Sequence, residues 1–189
     1  MKAKLTNRQK QALRTKNRIF DATLALMTEK DFANVNIEDI CNAADVSVGT
    51  FYNYYKSKNE VFYELYSRAD QYFKETVDFE ELEGSREGIL KFFYFYASYC
   101  ETTGVETMTQ MMTASNKNFN KKNRYLQVLL TEIFRKGLTS GMIQSEKTAS
   151  ELCELYFIVA RGVLFDWCLN DGQYDLKERV AEILSLIRP

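Results

Sequence analysis

Histidine is absent from this 189-residue chain, and the absence narrows its possible chemistry. Without histidine the chain lacks the commonest general base, the usual partner of a nucleophilic serine and the commonest zinc ligand. No pairing of Asp and Glu residues forms a pattern that favours carboxylate catalysis. The composition argues against an enzyme and gives no reason to expect a metal or other cofactor. A helical-bundle enzyme based on carboxylates or tyrosines remains a lesser alternative.

Residues that break helices are scarce, since the chain has one proline, at its last position, and eight glycines. Together with many Leu, Glu, Lys and Ala residues, this scarcity favours an all-helical chain. The sequence has neither a run of about 18 apolar residues, as a membrane span requires, nor an apolar segment after the basic start, as a signal peptide requires. We therefore expect a cytoplasmic protein without a membrane partner.

The four cysteines are widely separated in the sequence and show no C-x-x-C spacing; they are Cys41, Cys100, Cys153 and Cys168. Neither a metal site nor a disulfide is predicted from such spacing. We expect buried, free thiols in a reducing compartment.

Charge is distributed unevenly, although the net charge is only -1. Residues 1–58 hold ten Lys or Arg against six Asp or Glu, whereas residues 59–189 hold fifteen against twenty. The first 18 residues alone carry seven bases and no acid. A basic arm of this kind indicates a polyanionic partner, but a solvated tail accounts for the charge equally well.

Residues 36–54 carry the strongest helix signals in the chain. Asn36 caps a short helix over residues 37–44, with Asp39 as its capping-box partner, and Ser47 caps another helix over residues 48–54. Two short helices joined by a three-residue turn form a helix-turn-helix, which places its second helix in the major groove of DNA.

The helices on either side of this pair are longer. A basic amphipathic helix is predicted from about residue 9 to residue 29. Ser57 and Glu60 form a capping box ahead of a helix that ends near residue 77. The capping residues lie close together because three helices must change direction within a few residues.

The aromatic residues of the second short helix separate by helical face. Phe51 and Tyr55 are four positions apart and are assigned to the core, whereas Tyr52 and Tyr54 lie on other faces. A phenol can pack its ring and still donate its O–H to a phosphate oxygen. The N–H groups at the start of this helix, over residues 48–50, favour an anion. Packing of all four aromatics in the core is the alternative, and DNA contact is the favoured interpretation.

Residues 46–58, VSVGTFYNYYKSK, resemble the DNA-binding signature of the TetR family of bacterial transcriptional regulators. The resemblance is specific from residue 10 to about residue 66. It implies an all-α fold of about nine helices: an N-terminal three-helix helix-turn-helix DNA-binding domain with a basic arm (1–56), followed by a larger helical ligand-binding and dimerisation domain (57–189). Asp45 replaces the usual glycine of the turn and Tyr55 replaces the usual phenylalanine, and neither change puts the fold in doubt.

The resemblance also implies a role for each residue of the signature. Those expected to contact phosphates are Thr50, Tyr52 and Lys58; those expected at or near base edges are Val48, Gly49, Asn53 and Tyr54; and those expected to cap helices near the DNA backbone are Asn36 and Ser47. Asn53 suits adenine, whereas Val48 offers only apolar contact, for instance to a thymine methyl. The helix contains no Arg or Lys, so affinity is expected to come more from phosphates and the basic arm.

Residues 88–100, GILKFFYFYASYC, are aromatic on almost every face of one helix. Such a helix either packs in a core or lines a pocket for an apolar or aromatic ligand. A methionine-rich segment follows and suits either setting. The pocket residues predicted on this basis are Phe92, Phe93, Tyr96, Tyr99, Met108, Met111, Met112 and Phe165.

The last two helices are predicted over residues 148–172 and 174–188, with a tight turn at residues 170–172. In the resembled family this pair meets its copy in a second subunit as a four-helix bundle. The interface residues predicted here are Leu152, Leu155, Tyr156, Val159, Val163, Trp167, Val180, Ile183, Leu184 and Ile187. Gly162 in the middle of the first helix allows a partner helix to approach. A monomer that buries these residues internally is the alternative.

The sequence thus predicts a ligand-responsive, DNA-binding transcriptional regulator. Its expected partners are double-stranded operator DNA, a second copy of the chain and a small effector of unknown identity. The favoured form is a repressor that binds a palindromic operator as a homodimer and is released by an apolar or aromatic molecule. A helical interaction protein that does not bind DNA is the alternative, and only the regulator should lose DNA affinity when Tyr52 and Lys58 are replaced by alanine.

Overall fold

A computed structural model describes residues 6–78, 82–112 and 124–187, without the side chain of Phe62. Over these residues the chain forms nine α-helices and one 3₁₀ turn, Phe32–Asn34. The helices are α1 (Asn7–Glu29), α2 (Ile37–Ala44), α3 (Val48–Tyr54), α4 (Lys58–Thr76), α5 (Arg86–Thr103), α6 (Val105–Met111), α7 (Tyr125–Ser140), α8 (Ala149–Leu169) and α9 (Leu176–Ser185). The predicted all-α fold class is confirmed.

The two short helices begin and end at the residues that their caps predict. The backbone N–H of Asp39 donates to the side chain of Asn36 at 2.7 Å, and the carboxylate of Asp39 accepts from the N–H of Asn36 at 3.1 Å. The N–H of Thr50 donates to the hydroxyl of Ser47 at 3.1 Å. These bonds satisfy N–H groups that the first turn of a helix leaves without partners, which fixes where each helix starts.

The starts of two longer helices, α1 and α4, depend on further capping contacts. α1 begins slightly earlier than predicted because Thr6 and Gln9 form a capping box ahead of it. At α4 the predicted capping box is altered. The N–H of Glu60 donates to the hydroxyl of Ser57 at a long 3.4 Å, and the Glu60 carboxylate accepts from the N–H of Lys56. The spacing of apolar residues also predicts an amphipathic helix over residues 118–142, and α7 is its described part. Its predicted start, over residues 118–123, lies outside the described residues.

The chain packs as two compact units that divide within α4, between Ser67 and Arg68. In the first unit α2 packs against both α1 and α3. Its core is formed by apolar side chains that are almost wholly buried; they include Ile19, Phe20, Met27, Ile40, Phe51 and Val61. The domain limits expected from the sequence, 1–56 and 57–189, stay a prediction, because α4 contributes residues to both units.

The second unit is built around α5 and α8. α5 packs against α9, α6 and α7, and α8 packs against α7, α9 and α6. Aromatic rings fill the space where these helices meet: the ring of Phe93 lies 5.1 Å from that of Phe92 and 5.6 Å from that of Phe157. The ring of Tyr156 lies 5.0 Å from that of Phe134 on α7. Edge-to-face contacts of this kind stabilise a core beyond the area that they bury.

Two glycines let the segment before α5 lie against α7 backbone to backbone. A β-carbon added to Gly84 would lie 2.2 Å from the backbone nitrogen of Gly137, and one added to Gly137 would lie 2.3 Å from the carbonyl oxygen of Gly84. These separations are shorter than any van der Waals contact, and backbone atoms cannot rotate away as side chains do. This crossing was not predicted, because spacing along the chain does not reveal a contact between distant positions.

Replacing Gly137 with alanine is therefore expected to destabilise the second unit. The added methyl forces α7 away from residue 84, and overpacking of this kind lowers the free energy of unfolding by about 2 kcal/mol. Urea unfolding followed by circular dichroism measures the change. Thr139→Ala, at an exposed position of the same helix, is the matched control and should leave the midpoint unchanged. Equal stability of the two variants would contradict the close crossing.

All four cysteines are buried with free thiols, as predicted. The tight turn between α8 and α9 is confirmed, with Asp171 and Gly172 at positive φ. Across the described residues, no helix combines the length and apolar character that a membrane crossing needs.

Candidate nucleic-acid interface

The turn between α2 and α3 consists of three residues, as the sequence predicts. Asp45 adopts the left-handed conformation, with φ 49° and ψ 56°, at the C-cap of α2. The N–H of Val46 then donates to the carbonyl of Cys41 at 3.0 Å, which closes the end of α2. Aspartate tolerates this conformation better than most residues because its short polar side chain can bond locally. The replacement of the usual glycine therefore leaves the turn intact.

α3 has one buried face and one exposed face. Phe51 is fully buried and Tyr55 is 3% exposed, so both belong to the core as predicted. Tyr52, by contrast, is 53% exposed, and Val48, Gly49 and Asn53 are exposed beside it. We call these four residues the α3 face. Tyr54 and Thr50 are half-buried at its edges, and the Thr50 hydroxyl lies 2.9 Å from that of Ser47.

Gly49 has no structural reason within the chain to be a glycine. A β-carbon added there would meet only the Ser47 hydroxyl, at an ordinary 3.9 Å, and the position lies in a regular helix. Glycine in a helix is less favourable than alanine by about 1 kcal/mol. What Gly49 offers instead is an exposed backbone that a partner can approach closely.

Tyr55 shows why a tyrosine replaces phenylalanine at the end of α3. Its hydroxyl donates to the carboxylate of Glu64 on α4 at 2.6 Å. The ammonium of Lys16 on α1 lies 2.8 Å from the same carboxylate and 5.4 Å from the Tyr55 ring centroid. The extra hydroxyl thus takes part in a polar cluster that joins α1, α4 and the residue after α3.

Among the basic residues of α1, one supports the turn between α2 and α3, and others lie exposed near the start of the helix. The guanidinium of Arg18 donates to the carbonyl of Asp45 at 2.8 Å and so holds the turn against α1. Arg8, Lys10 and Arg14 are exposed along the start of the same helix. The basic arm is therefore helical from Asn7 onward, and its first bases, at positions 2 and 4, lie outside the described residues.

An ion pair connects the end of α1 to the start of α2. The ammonium of Lys30 donates to the carboxylate of Asp39 at 2.6 Å. This hydrogen bond, followed by the one from the N–H of Asn36, lowers the pKa of Asp39. A lowered pKa in the folded state means that the bonds stabilise the fold above the unfolded pKa and that this contribution is lost as pH falls through the folded value.

The resemblance implies that Lys58 contacts a phosphate, but in this structure its ammonium is bonded to carbonyl groups of the chain itself. Its Nζ donates to the backbone carbonyls of Phe32, Ala33 and Val35, at 2.9, 2.9 and 2.8 Å. These carbonyls belong to the 3₁₀ turn and the residue that follows it, ahead of α2. This contact was not predicted, because it joins positions more than twenty residues apart.

The predicted pocket residues lie in the second unit with differing exposure. Phe92, Phe93, Met108 and Met111 are buried, and Tyr96, Tyr99 and Met112 are half-buried. Phe165, on α8, is exposed. Burial also raises the pKa of the Tyr99 phenol, to about 12.

The predicted dimer residues divide into two groups. Six are buried in the chain's own core and leave no surface for a second copy: Leu152, Tyr156, Val163, Trp167, Val180 and Leu184. The other four are half-buried: Leu155, Val159, Ile183 and Ile187. The first group therefore packs within the chain, as the alternative to a dimer interface predicted.

A different apolar surface is exposed on α8. Ile158, Phe165 and Leu169 project to solvent, and Gly162 lies between them with no atom within 4 Å of an added β-carbon. These positions are spaced four, three and four residues apart, so they share one face of the helix. We call Ile158, Gly162, Phe165 and Leu169 the outer face of α8. Of these four residues only Gly162 was predicted at the interface, because α8 is apolar on nearly all sides and periodicity alone does not distinguish its two faces.

Comparison with known proteins agrees with the helix-turn-helix assignment. Residues 19–65 match the family described as bacterial regulatory proteins, tetR family. The chain is similar to the fatty acid metabolism regulator protein of Bacillus subtilis (strain 168), with 24% identity over 178 residues that cover 89% of this chain and 91% of the relative.

Two solved structures share the fold over nearly the whole chain. The transcriptional regulator FadR from Bacillus subtilis in complex with stearoyl-CoA superposes with a TM-score of 0.76 and 20% identity, covering 91% of this chain and 97% of that one. The fatty acid degradation regulator FadR from Bacillus halodurans gives a TM-score of 0.68 and 18% identity, covering 97% and 96%. At these identities the likeness establishes the fold alone.

Proposed function

Because the chain is a DNA-binding transcriptional regulator of the TetR family, we propose that it acts as a homodimeric repressor whose hold on its operator is weakened by a long-chain acyl-coenzyme A. The observation that carries the DNA-binding part is the α3 face: exposed residues on a capped helix whose opposite side is fully buried. No requirement of the fold accounts for an exposed tyrosine beside a glycine in this position.

The α3 face supports readout of A·T base pairs. Arg and Lys are the side chains that most often read guanine, and α3 contains neither. Asn53 is exposed and can bond both the acceptor and the donor that adenine presents in the major groove, whereas Val48 can pack on a thymine methyl. Tyr52 and the exposed bases of α1 supply phosphate contacts that position the protein without reading sequence.

Selection of binding sites from a random pool of duplex DNA tests this part of the proposal. The wild-type protein is expected to enrich an inverted repeat, with half-sites one or more helical turns, about 34 Å each, apart and with A·T pairs at the major-groove positions that α3 reaches. We call the enriched sequence the selected duplex. A pool that stays random after repeated rounds would contradict sequence-specific binding, and half-sites dominated by G·C would contradict the readout.

The outer face of α8 supports the homodimer. Contiguous exposed apolar side chains on one helix face mark a site of association. Two copies related by a two-fold axis would bury this face against itself, with Gly162 allowing the two helices to approach closely. Half-buried Leu155 and Val159 lie three positions before Ile158 and Gly162, so they adjoin the same face of α8. A dimer also presents two copies of α3, which a palindromic operator requires.

An acyl chain fits the apolar character of the second unit. Relatives of this fold include one solved with stearoyl-CoA, and others named for fatty acid metabolism or degradation. The residues that we assign to the effector are the aromatic and methionine side chains of α5 and α6, since flexible methionines can adapt to a long chain. An effector shifts the equilibrium only by its differential affinity for the DNA-free and DNA-bound states.

Stearoyl-CoA is accordingly expected to release the protein from the selected duplex. Saturating stearoyl-CoA should lower the DNA affinity by about tenfold or more, since allosteric coupling typically amounts to 1–3 kcal/mol. Fluorescence anisotropy of labelled duplex measures the release, with free coenzyme A as the control. Unchanged DNA binding in saturating stearoyl-CoA would remove long-chain acyl-CoA from the proposal and leave the DNA-binding part standing.

A further inference from the structure

One lysine joins the two ends of the segment that contains α2 and α3. The segment spans residues 36–57, and Lys58 follows it directly as the first residue of α4. The three carbonyls that accept from its Nζ, those of Phe32, Ala33 and Val35, belong to the residues just before the segment. The same Nζ lies 5.0 Å from the ring centroid of Phe32, which adds a cation–π contact.

These contacts occupy the full bonding capacity of the side chain. An ammonium group has three N–H donors and no acceptor, and three backbone carbonyls accept from it here. Hydrogen bonds from a charged donor are stronger than those between neutral groups. In this arrangement Lys58 keeps no donor for a phosphate.

We propose that Lys58 is a positioning residue for DNA binding: it closes the base of the helix-turn-helix and fixes α3 relative to α4. The inference rests on the proposed function, since it takes α3 as the helix that enters the operator. Lys58 then contributes to affinity by holding a geometry, and it neutralises no phosphate.

Specific and non-specific binding depend on this geometry to different extents. Specific binding requires both recognition helices of a dimer at a fixed spacing and orientation. Non-specific binding depends on phosphate contacts alone and tolerates small displacements of a helix. Without the contact, the two ends of the segment are held less rigidly, and ordering them again on the operator lowers the affinity.

Lys58→Met tests the inference, because methionine keeps the apolar stem and removes the charge and the donors. Affinity is measured by fluorescence anisotropy for the selected duplex and for a scrambled duplex at several salt concentrations. The temperature is one at which circular dichroism gives the variant wild-type helicity. We expect affinity for the selected duplex to fall about tenfold, as for loss of hydrogen bonds from a charged group. Affinity for the scrambled duplex and the salt dependence should stay as in wild type.

Two further variants separate geometry from charge. Lys58→Arg keeps the charge, but a planar guanidinium does not match three carbonyls arranged around an ammonium, so it should lose specific affinity as the methionine variant does. Lys56→Met removes an exposed positive charge two positions earlier and should leave the ratio of specific to non-specific affinity unchanged.

A phosphate contact would give the opposite results. The slope of log K against log salt would then fall by about one for Lys58→Met, and affinity would fall for both duplexes alike. That outcome, wild-type affinity in Lys58→Arg, or unchanged affinity in Lys58→Met would overturn the inference while the proposed function stands. A wild-type protein that does not distinguish the two duplexes would contradict both.

Discussion

Replacing Ile158 with glutamate is expected to convert the protein to monomers and to lower its affinity for the selected duplex by about a thousandfold. Ile158 lies at the start of the outer face of α8 and is 53% exposed within one chain. A two-fold interface would bring two copies of the new carboxylate into an apolar contact, where neither charge finds a partner. The monomer would then address one half-site at a time and lose the second, intramolecular binding event.

Analytical ultracentrifugation and anisotropy measure the two effects on the same sample. Val128→Glu is the matched control, because Val128 is a β-branched residue of the same unit, on α7, and is 55% exposed. It should stay dimeric and bind DNA as the wild type does. If Ile158→Glu remained a dimer, or if the monomer bound the selected duplex with full affinity, the outer face of α8 would not be the interface that operator binding needs.

Replacing Gly49 with valine is expected to lower operator affinity by on the order of a hundredfold while the fold stays intact, since overpacking costs up to about 3 kcal/mol. Within the chain an added β-carbon meets only Ser47, at an ordinary distance, and the position is exposed, so the larger side chain can extend into solvent. Where α3 packs against DNA, the added valine side chain would hold the helix away from the major groove. Affinity should therefore fall, whereas the melting temperature stays the same or rises.

Gly49→Ala should show an intermediate loss, and its stability should rise by up to about 1 kcal/mol because alanine favours a helix over glycine. Ala25→Val adds bulk at an exposed position of α1 in the same unit and should change DNA affinity little. Affinity and stability falling together in Gly49→Val would mean that the fold needs the glycine. Unchanged affinity would mean that DNA does not approach this part of α3.

Local signals predicted the helix-turn-helix well. Asn36 and Ser47 fix where α2 and α3 start, because each side chain satisfies N–H groups of its own helix within three residues along the chain. The burial of Phe51 and Tyr55 followed from their spacing alone. All of these features depend on residues close together in the sequence, which is why caps and periodicity were sufficient.

Features that depend on distant residues were not predicted. Lys58 reads as a basic residue beside a DNA-binding helix, and only the fold brings the carbonyl of Phe32 to its ammonium. Tyr55 was expected at a core edge, but its bond to Glu64 required α4 to be in place. The close crossing at Gly137 likewise depends on a segment more than fifty residues earlier.

The helices of the second unit show the limit of periodicity most clearly. α8 carries apolar residues on nearly all sides. The dimer interface predicted from spacing alone therefore included residues such as Tyr156 and Trp167, which are buried within the chain. The outer face of α8, which includes Phe165, has the same three- and four-residue spacing but lies on another side of the helix. Only the packing of α8 against α7 and α9 determines which stripe faces outward.

Photocrosslinking to 5-iodouracil tests most directly whether the α3 face binds the operator. Iodouracil replaces the thymine methyl with iodine at the major-groove edge and reacts with aromatic side chains in contact with it. When each thymine of the selected duplex is replaced in turn, mass spectrometry should locate the adduct within residues 48–54, with Tyr52 and Tyr54 as the acceptors. Adducts confined to other segments, from a duplex that the protein still binds specifically, would show that another surface reads the DNA.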